Sequence, residues 1–323
     1  MNKQLLSAGF LVLSSLAPLD AQAANFTGIY AFGDSLTDTG NVFNLSGNTF
    51  PPPPYFDGRA SNGPLWVEYL ADKLNLPIEP STTGGTNFAF LGATTGLDNT
   101  VNPALLGLQQ EVGLYLNFLS TKNLTADPNA LYVVSAGAND YLPTESTTFT
   151  PYTEPYTTVT NLAFVVTALA TVGAKNILVV NLPDLGELPR TNTTSDANRL
   201  NNLTQAHNTL LSQTLNSLPL SPEVDISILD VNTLFNNVVN NPARFNFTNV
   251  TDPCFTGSSI CSNPNEYLFW DQIHPTTAGH RLIGNLAAQS LGVPEPSFVP
   301  GVAIIGLWGV SQIVRFSKQK SSK

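Results

Sequence analysis

The sequence of 323 residues is poor in charged side chains, above all in basic ones. Lysine and arginine number 13 against 23 aspartates and glutamates, only 11% of residues are charged, and the formal net charge is −10. Nucleic-acid phosphates are bound by clusters of lysine and arginine, and the body of the chain has no such cluster. We therefore expect no nucleic-acid partner. The same balance argues against an acidic polymer as substrate, unless a local basic patch offsets it.

Patterns typical of metal and nucleotide sites are also missing. The chain has three histidines and two cysteines and no C-x-x-C or H-E-x-x-H spacing, so we expect no metal site. Neither G-x-G-x-x-G nor a P-loop occurs, which leaves nucleotide cofactors without support. The G-x-S-x-G elbow of the α/β-hydrolases is absent as well. We predict that the protein needs no cofactor.

Residues 1–23 predict a secretory signal peptide. A short start containing Lys3 precedes an apolar run of 13 residues from Leu5 to Ala17, which suits a signal-peptide core and is too short to span a bilayer. Ala21 and Ala23 supply the small-x-small pattern, so we expect cleavage after Ala23. The alternative is an uncleaved anchor.

Residues 293–323 have a different character. Pro294-Glu295-Pro296 precedes an apolar run of 17 residues, 298–314, and Arg315 with three lysines follows it. Seventeen residues is the lower limit for a membrane span. The order resembles the PEP-CTERM sorting tail of bacterial exported proteins, which implies recognition by an exosortase-like enzyme, transient membrane contact and cleavage near Pro-Glu-Pro. The alternative is an ordinary C-terminal anchor. Together the two ends predict an exported protein that is secreted or held at the cell surface or in the extracellular matrix.

The body, residues 24–292, alternates strand-like and helical patterns without an internal repeat. Residues rich in β-branched and apolar types predict strands over 28–31, 86–89, 130–135, 175–181 and, as the last strand, 226–229. Apolar spacing predicts helices over 64–74, within 105–119, and over 159–172, 196–218 and 231–239, of which 159–172 is apolar nearly all round and should be buried. The alternation predicts a three-layer α/β/α sandwich with a mainly parallel sheet. His207, among Asn and Gln, is expected at the surface.

The two cysteines, Cys254 and Cys261, lie seven residues apart in a loop rich in Gly, Ser, Pro and Asn. In an oxidising compartment such a pair can form a disulfide, and two reduced thiols are the alternative. A bridge would hold the loop that leads to Asp271 and His274.

Ser35 stands directly after a predicted strand, 28–31, and the turn residues Gly33 and Asp34. A serine there lies at the carboxyl end of the strand, where open α/β sheets place their ligand sites. Far along the chain, Asp271 and His274 lie three residues apart just before a helix. An early serine with a late aspartate and histidine is a serine-hydrolase arrangement, which is recognised by roles rather than by order.

Four short blocks make this reading specific. They are FGDSLTDTG with Ser35, the stretch 85–93, Gly-Ala-Asn-Asp at 137–140, and Asp-Gln-Ile-His at 271–274. In this order, over residues 28–288, the chain resembles the GDSL esterase/lipases of the SGNH hydrolase superfamily. The resemblance implies an α/β/α sandwich of the SGNH type and a carboxylic ester or lipid as substrate. It also makes 55–59 a segment that borders the active-site cleft.

The resemblance further implies the role of each residue. Ser35 is the nucleophile, His274 the base and Asp271 the group that orients the imidazole. The backbone N–H groups of Ser35 and Gly92 and the side-chain amide of Asn139 form the oxyanion hole. The carboxylates at 34 and 140 and the imidazole at 280 are expected to be structural.

We therefore expect an exported serine esterase or lipase that works through an acyl-enzyme. A polysaccharide deacetylase or an acyltransferase would use the same residues. A catalytically silent binding or matrix protein is the alternative from another class.

Overall fold

The computed structural model describes residues 25–293, so the predicted leader and the tail from Pro294 onward lie outside the described residues. Four strands form one parallel sheet in the order β1-β2-β3-β4. They are β1 (Ile29–Gly33), β2 (Leu131–Ser135), β3 (Asn176–Val180) and β4 (Asp225–Leu229). Gly33 lies opposite Ser135 in the register, so the carboxyl ends of β1 and β2 meet at one edge of the sheet.

Helices cover both faces of this sheet, apart from the short α1 (Asn41–Leu45), which packs with Phe90 and Leu91. The covering helices are α2 (Trp66–Leu74), α3 (Leu108–Lys122), α4 (Tyr156–Thr171), α5 (Ala197–Asn216), α6 (Val231–Asn240) and α7 (Thr277–Ser290). Because side chains alternate along a strand, Ala31 and Val133 pack with α2, α6 and α7. Their neighbours Phe32 and Val134 pack with α3, α4 and the C-terminal half of α5. The predicted three-layer α/β/α sandwich is confirmed.

The predicted strand over 86–89 is not a regular strand, although it lies along the free edge of β1. Ala31 donates its N–H to the Thr86 carbonyl at 3.1 Å and accepts from the Phe88 N–H at 2.7 Å. On the outer side, the Asn41 amide donates to the carbonyls of Asn87 and Ala89. The Asn87 carbonyl also accepts the Ser81 N–H at 2.7 Å, so a side chain and a short backbone contact together cover this edge.

Two more strands follow the one predicted to be last. β5 (Asn249–Pro253) and β6 (Tyr267–Phe269) form a separate parallel pair. Between them, Cys254 and Cys261 are joined by a disulfide. The Phe255 N–H donates to the Trp270 carbonyl at 2.6 Å, so the loop that the disulfide closes lies against the segment leading to Asp271.

Several helix predictions need correction. α2 begins at Trp66 rather than Pro64, because the Glu68 carboxylate accepts the Leu65 N–H at 2.7 Å and starts the first turn there. The helix predicted within 105–119 runs from Leu108 to Lys122, and α1 is not among the predicted helices. α4 buries one face only, because Phe164 and Tyr156 are exposed.

His207 is buried rather than exposed, which contradicts the prediction from its polar neighbours. It lies on the inner face of α5 with Leu200, Leu203 and Leu211, at helical spacing from them. Its Nδ1 is 2.8 Å from the Tyr141 hydroxyl, and burial lowers the pKa of His207 to about 3. The spacing of the leucines along α5 therefore indicates the burial of His207, whereas the polar residues next to it in sequence do not.

No helix among residues 25–293 is long and apolar enough to cross a membrane.

Candidate active site

Ser35 is presented at the carboxyl edge of the sheet by a turn that requires glycine. Gly33 has a φ of +151°, and a Cβ there would lie 2.1 Å from the Ser135 carbonyl oxygen, so no other residue allows β1 and β2 to approach so closely. Asp34 then accepts the Leu36 N–H on its side chain at 3.0 Å. The turn leaves the Ser35 hydroxyl at the opening between β1 and β2.

Asp271 and His274 reach this serine from the loop before α7. The Asp271 carboxylate accepts the backbone N–H of Ile273 at 2.8 Å and that of His274 at 2.7 Å. The Nδ1 of His274 is 2.8 Å from Asp271 Oδ2, and its Nε2 is 2.9 Å from Ser35 Oγ. The three side chains therefore form one continuous hydrogen-bonded row, although Ser35 and His274 lie 239 positions apart.

Burial and charge act in opposite directions on this pair. Burial disfavours the charged carboxylate, but the facing His274 and its hydrogen bonds lower the pKa of Asp271 to about 2. Burial also disfavours the imidazolium, but the negative charges of Asp271 and Asp34 and the hydrogen bond to Asp271 raise the pKa of His274 above its ordinary value. Asp271 is thus ionised at neutral pH, and His274 is made more basic.

Tyr55 is a fourth side chain joined to this row, and the sequence did not predict it. Its hydroxyl donates to Asp271 Oδ2 at 2.7 Å across 216 positions of sequence. Its ring makes edge-on contacts with those of Phe255 and Trp270. The only signal in the sequence was the likeness of 55–59 to a segment bordering the cleft, which did not point to a contact with the aspartate.

Three donors predicted for the oxyanion hole lie around the same hydroxyl. Within residues 25–293, the backbone N–H groups of Ser35 and Gly92 have no hydrogen-bond partner. The Asn139 amide nitrogen donates to the Ala93 carbonyl at 2.9 Å, which leaves its second hydrogen available. Gly92 has a φ of +85°, so glycine is required there by the backbone as well as by space.

Two buried acids hold the loops that carry these donors. The Asp140 carboxylate accepts the N–H of Thr95 at 2.9 Å and its hydroxyl at 2.6 Å, which ties the Asn139 turn to the Gly92 loop. Burial raises the pKa of Asp140 to about 7 and that of Asp34 to about 6. These contacts agree with the structural role expected for both residues.

Glu111 is a second residue that the sequence reading missed. Fully buried on α3, it accepts the Gly33 N–H at 2.7 Å and the Phe90 N–H at 3.0 Å. One carboxylate therefore joins the turn before Ser35 to the loop before Gly92. Burial raises the pKa of Glu111 well above its ordinary value. A signal was available, because a glutamate three residues after Leu108 and four before Tyr115 occupies a core position.

Two cavities open at Ser35. The first, here called the apolar pocket, is mainly hydrophobic and includes Leu36, Trp66, Val180, Leu182, Leu185, Leu188, Val231, Phe235, Phe269 and Ile283. The second, here called the polar cleft, is lined by Leu91, Gly92, Thr100, Val101, Leu142, Pro143, Thr144, Glu145, Arg190 and His274. Ser35, Asn139 and Ile273 line both. The free space inside the apolar pocket is about 50 Å³, and that inside the polar cleft is about 260 Å³.

His280, the remaining histidine, lies on α7 and is not part of the hydrogen-bonded row of Ser35, His274 and Asp271. Its Nδ1 accepts the Trp66 N–H at 3.3 Å, and burial lowers its pKa to about 3. This is the structural role expected for it, because the contact joins α2 to α7.

Among residues 25–293, no group of three or more His, Cys, Asp or Glu side chains is arranged to hold a metal ion.

Comparison with known proteins finds relatives that match most of this chain. The thermolabile hemolysin of Vibrio parahaemolyticus is 28% identical over 283 residues, which cover 81% of this chain but only 63% of that protein. A phosphatidylcholine-sterol acyltransferase of Aeromonas hydrophila is 27% identical over 331 residues, covering 86% of this chain and 95% of that one.

Similarity to solved structures is lower. An aryl esterase of M. smegmatis has a TM-score of 0.45 with 18% identity, covering 81% of this chain and 97% of its own. A carbohydrate acetylesterase from Sinorhizobium meliloti has a TM-score of 0.46 with 16% identity, covering 82% and 97%. A sequence profile described as GDSL-like lipase/acylhydrolase matches residues 29–287, nearly the whole of the described fold. The chain therefore belongs to the GDSL-like lipase/acylhydrolase family of carboxylic ester hydrolases.

Proposed function

We propose that this protein is an exported serine esterase or lipase that cleaves carboxylic esters through an acyl-enzyme. The observation that supports this most directly is the row of hydrogen bonds from Ser35 through His274 to Asp271. A serine hydroxyl is a weak nucleophile until an adjacent base takes its proton. The raised pKa of His274 suits it to that task, and the ionised Asp271 would stabilise the imidazolium that forms.

In the proposed reaction, Ser35 Oγ attacks the ester carbonyl carbon while His274 Nε2 takes the hydroxyl proton. The tetrahedral oxyanion would be bound by the Ser35 and Gly92 N–H groups and the free amide hydrogen of Asn139. His274 then returns the proton to the alcohol oxygen as the C–O bond breaks, leaving the acyl-serine. Water, deprotonated by His274, attacks the acyl carbon. His274 then returns the proton to Ser35 Oγ as the bond between Oγ and the acyl carbon breaks, which releases the acid and restores the free serine.

The test is a panel of p-nitrophenyl esters from acetate to palmitate, assayed with the wild type, Ser35→Ala and a control, Ser258→Ala. Ser258 lies in an exposed loop and contacts only the Thr256 hydroxyl. Loss of a triad nucleophile should lower the rate by about 10⁴-fold or more, whereas Ser258→Ala should match the wild type. A folded Ser35→Ala protein with near-normal turnover would refute the nucleophile. A wild type inactive on every ester would favour a silent binding protein.

Acyl transfer is the second function that a specific observation favours. The Aeromonas relative, named as an acyltransferase, aligns over 95% of its length. An acyltransferase differs only in the last step, where an acceptor alcohol replaces water. Product analysis with a long-chain alcohol added would decide, since a new ester accumulating faster than free acid indicates transfer. A polysaccharide deacetylase would use the same three residues, and the acetate end of the ester panel tests it.

Export and sorting remain proposals based on the two ends of the sequence. The signal peptide, residues 1–23, and the PEP-CTERM-like tail, 293–323, would direct secretion and recognition by an exosortase-like enzyme. The hydrolase domain between them, 24–292, would then act outside the cytoplasm, where the disulfide between Cys254 and Cys261 is stable.

A further inference from the structure

The two cavities that meet at Ser35 indicate which part of an ester each one binds, the acyl part (here the acyl arm) or the alcohol part (here the alcohol arm). His274 lines the polar cleft and does not line the apolar pocket. In ester cleavage the base returns its proton to the leaving alcohol oxygen, so the alcohol arm must lie on the side of His274. The acyl arm then lies on the other side of the reacting carbon, in the apolar pocket, where burial of its methylenes is favourable.

Arg190 is the one arginine or lysine among the described residues that line the polar cleft. Its backbone N–H donates to the Gln272 carbonyl at 2.9 Å, which ties it to the loop between Asp271 and His274. Its guanidinium, however, makes no hydrogen bond or ion pair within residues 25–293, whereas Arg59 is paired with Glu68 at 2.7 Å.

A guanidinium left without a partner beside a catalytic site favours an anionic ligand. It binds carboxylates and phosphates through two parallel hydrogen bonds, a geometry that neutral groups do not match. Glu145, which also lines the cleft, is exposed and forms no ion pair with Arg190. The negative charge of Glu145 repels further anions near it. The cleft therefore suits an alcohol arm that carries one anionic group rather than two.

We propose that Arg190 binds an anionic group on the alcohol arm, so that the preferred substrates are esters whose alcohol part bears a phosphate or a carboxylate. This proposal rests on the proposed esterase function and assigns a substrate class to it. Arg190 takes no part in bond breaking. It places the alcohol oxygen against His274 by holding the charged group further along the arm.

The experiment uses three butyrate esters that share one acyl group and differ in the alcohol: glycerol, glycerol 3-phosphate and lactate. The kcat/KM values are measured for the wild type, Arg190→Gln, Arg190→Lys and Arg244→Gln. Arg244 lies on an exposed turn outside both cavities, so its variant removes the same charge at a distance. The phosphate and carboxylate arms show which anion is bound.

We expect the wild type to prefer an anionic ester to the neutral one. Arg190→Gln should lower that anionic-to-neutral ratio by about tenfold or more, mainly through KM, because a charge-assisted hydrogen bond is lost. Arg190→Lys should keep part of the preference, and Arg244→Gln all of it. High salt should reduce the ratio in the wild type, because it screens charges at an accessible site.

An unchanged ratio in Arg190→Gln would overturn the proposal, and an equal loss on all three esters would show a structural role instead. Failure of the proposed function is a separate result, in which the wild type hydrolyses none of the esters. In that case, calorimetric binding of glycerol 3-phosphate to the wild type and Arg190→Gln still decides. Equal affinity for the two proteins would refute anion binding by Arg190.

Discussion

In the proposed mechanism the Asn139 side chain would serve two functions. One hydrogen of its amide is held by the Ala93 carbonyl, which fixes the orientation of the group, and the other would bind the oxyanion. A donor fixed in this way needs no reorganisation when the oxyanion forms, and such donors stabilise the transition state more than the bound ester.

We predict that Asn139→Ala lowers kcat by about 10²–10³-fold with little change in KM, because one oxyanion donor is worth that much. Steady-state kinetics on a p-nitrophenyl ester measure both constants. Asn102→Ala is a control for loss of an exposed loop asparagine, since its side chain accepts only the Ala104 N–H. A change in KM alone would make Asn139 a substrate-binding or structural residue.

The three histidines differ sharply in their expected titration. Burial lowers the pKa values of His207 and His280 to about 3, while Asp271 and Asp34 raise that of His274 above its ordinary value of 6.5. NMR of Ser35→Ala should therefore show a single histidine titrating between pH 5 and 9, with a midpoint above 6.5. Because the base must be neutral, the acid limb of kcat/KM should follow this midpoint, with activity lost as pH falls.

Replacing Asp271 tests the cause of the raised pKa. In Ser35→Ala/Asp271→Asn the negative charge next to His274 is gone, so the midpoint should move to lower pH. Two titrating histidines in the Ser35→Ala protein would contradict the burial of His207 and His280. An unmoved midpoint would show that Asp271 is not the source of the shift.

At the scale of elements, the contact between α2 and α7 depends on one glycine. A Cβ on Gly284 of α7 would lie 2.7 Å from the Tyr69 Cβ and 2.8 Å from the Trp66 carbonyl oxygen on α2. Both neighbours are difficult to move, since one is backbone and the other is the first atom of a side chain. The absence of a side chain at this position therefore lets the two helices approach.

We predict that Gly284→Ala lowers the free energy of unfolding by about 1–3 kcal/mol, the usual cost of an overpacked core. Gly113→Ala is the matched control, because Gly113 on α3 has nothing within 4 Å of an added Cβ. That change should raise stability by about 0.5–1 kcal/mol through helix propensity. Urea unfolding of both variants is the measurement, and equal effects in the two would contradict a close helix contact.

At the scale of the whole molecule, the proposed route of export concerns segments outside the described fold. A simple membrane anchor accounts for the apolar run 298–314 and the cations after it, but not for Pro294-Glu295-Pro296 before it. Pro294-Glu295-Pro296 is therefore the feature of the sequence that distinguishes a sorting tail from a plain anchor.

We predict that the mature protein lacks residues beyond about 297 and that Glu295→Ala prevents this cleavage. Intact-mass measurement of the protein from its native host, for both forms, is the test. Gln312→Ala, in the apolar run itself, is a control that should leave processing unchanged. A wild-type protein with a full-length C-terminus would refute the sorting tail and favour the plain anchor.

The sequence alone determined the fold class and the order of the chemical blocks. Four of the five predicted strands are regular strands, because short runs of apolar and β-branched residues between turn residues favour buried strands. The turn at Gly33 and the closeness of Asp271 to His274 could be predicted because each depends on residues that are near one another in sequence. The free energy that selects a strand, a turn or a helix comes largely from neighbouring residues.

Only the tertiary structure decided which distant residues meet. Tyr55 reaches Asp271 across 216 positions, and Glu111 joins two loops through backbone groups that no side-chain pattern reveals. The burial of His207 and the unpaired guanidinium of Arg190 likewise depend on which elements surround them. Such contacts are settled by the packing of whole layers, so the sequence shows the residues of a site before it shows their partners.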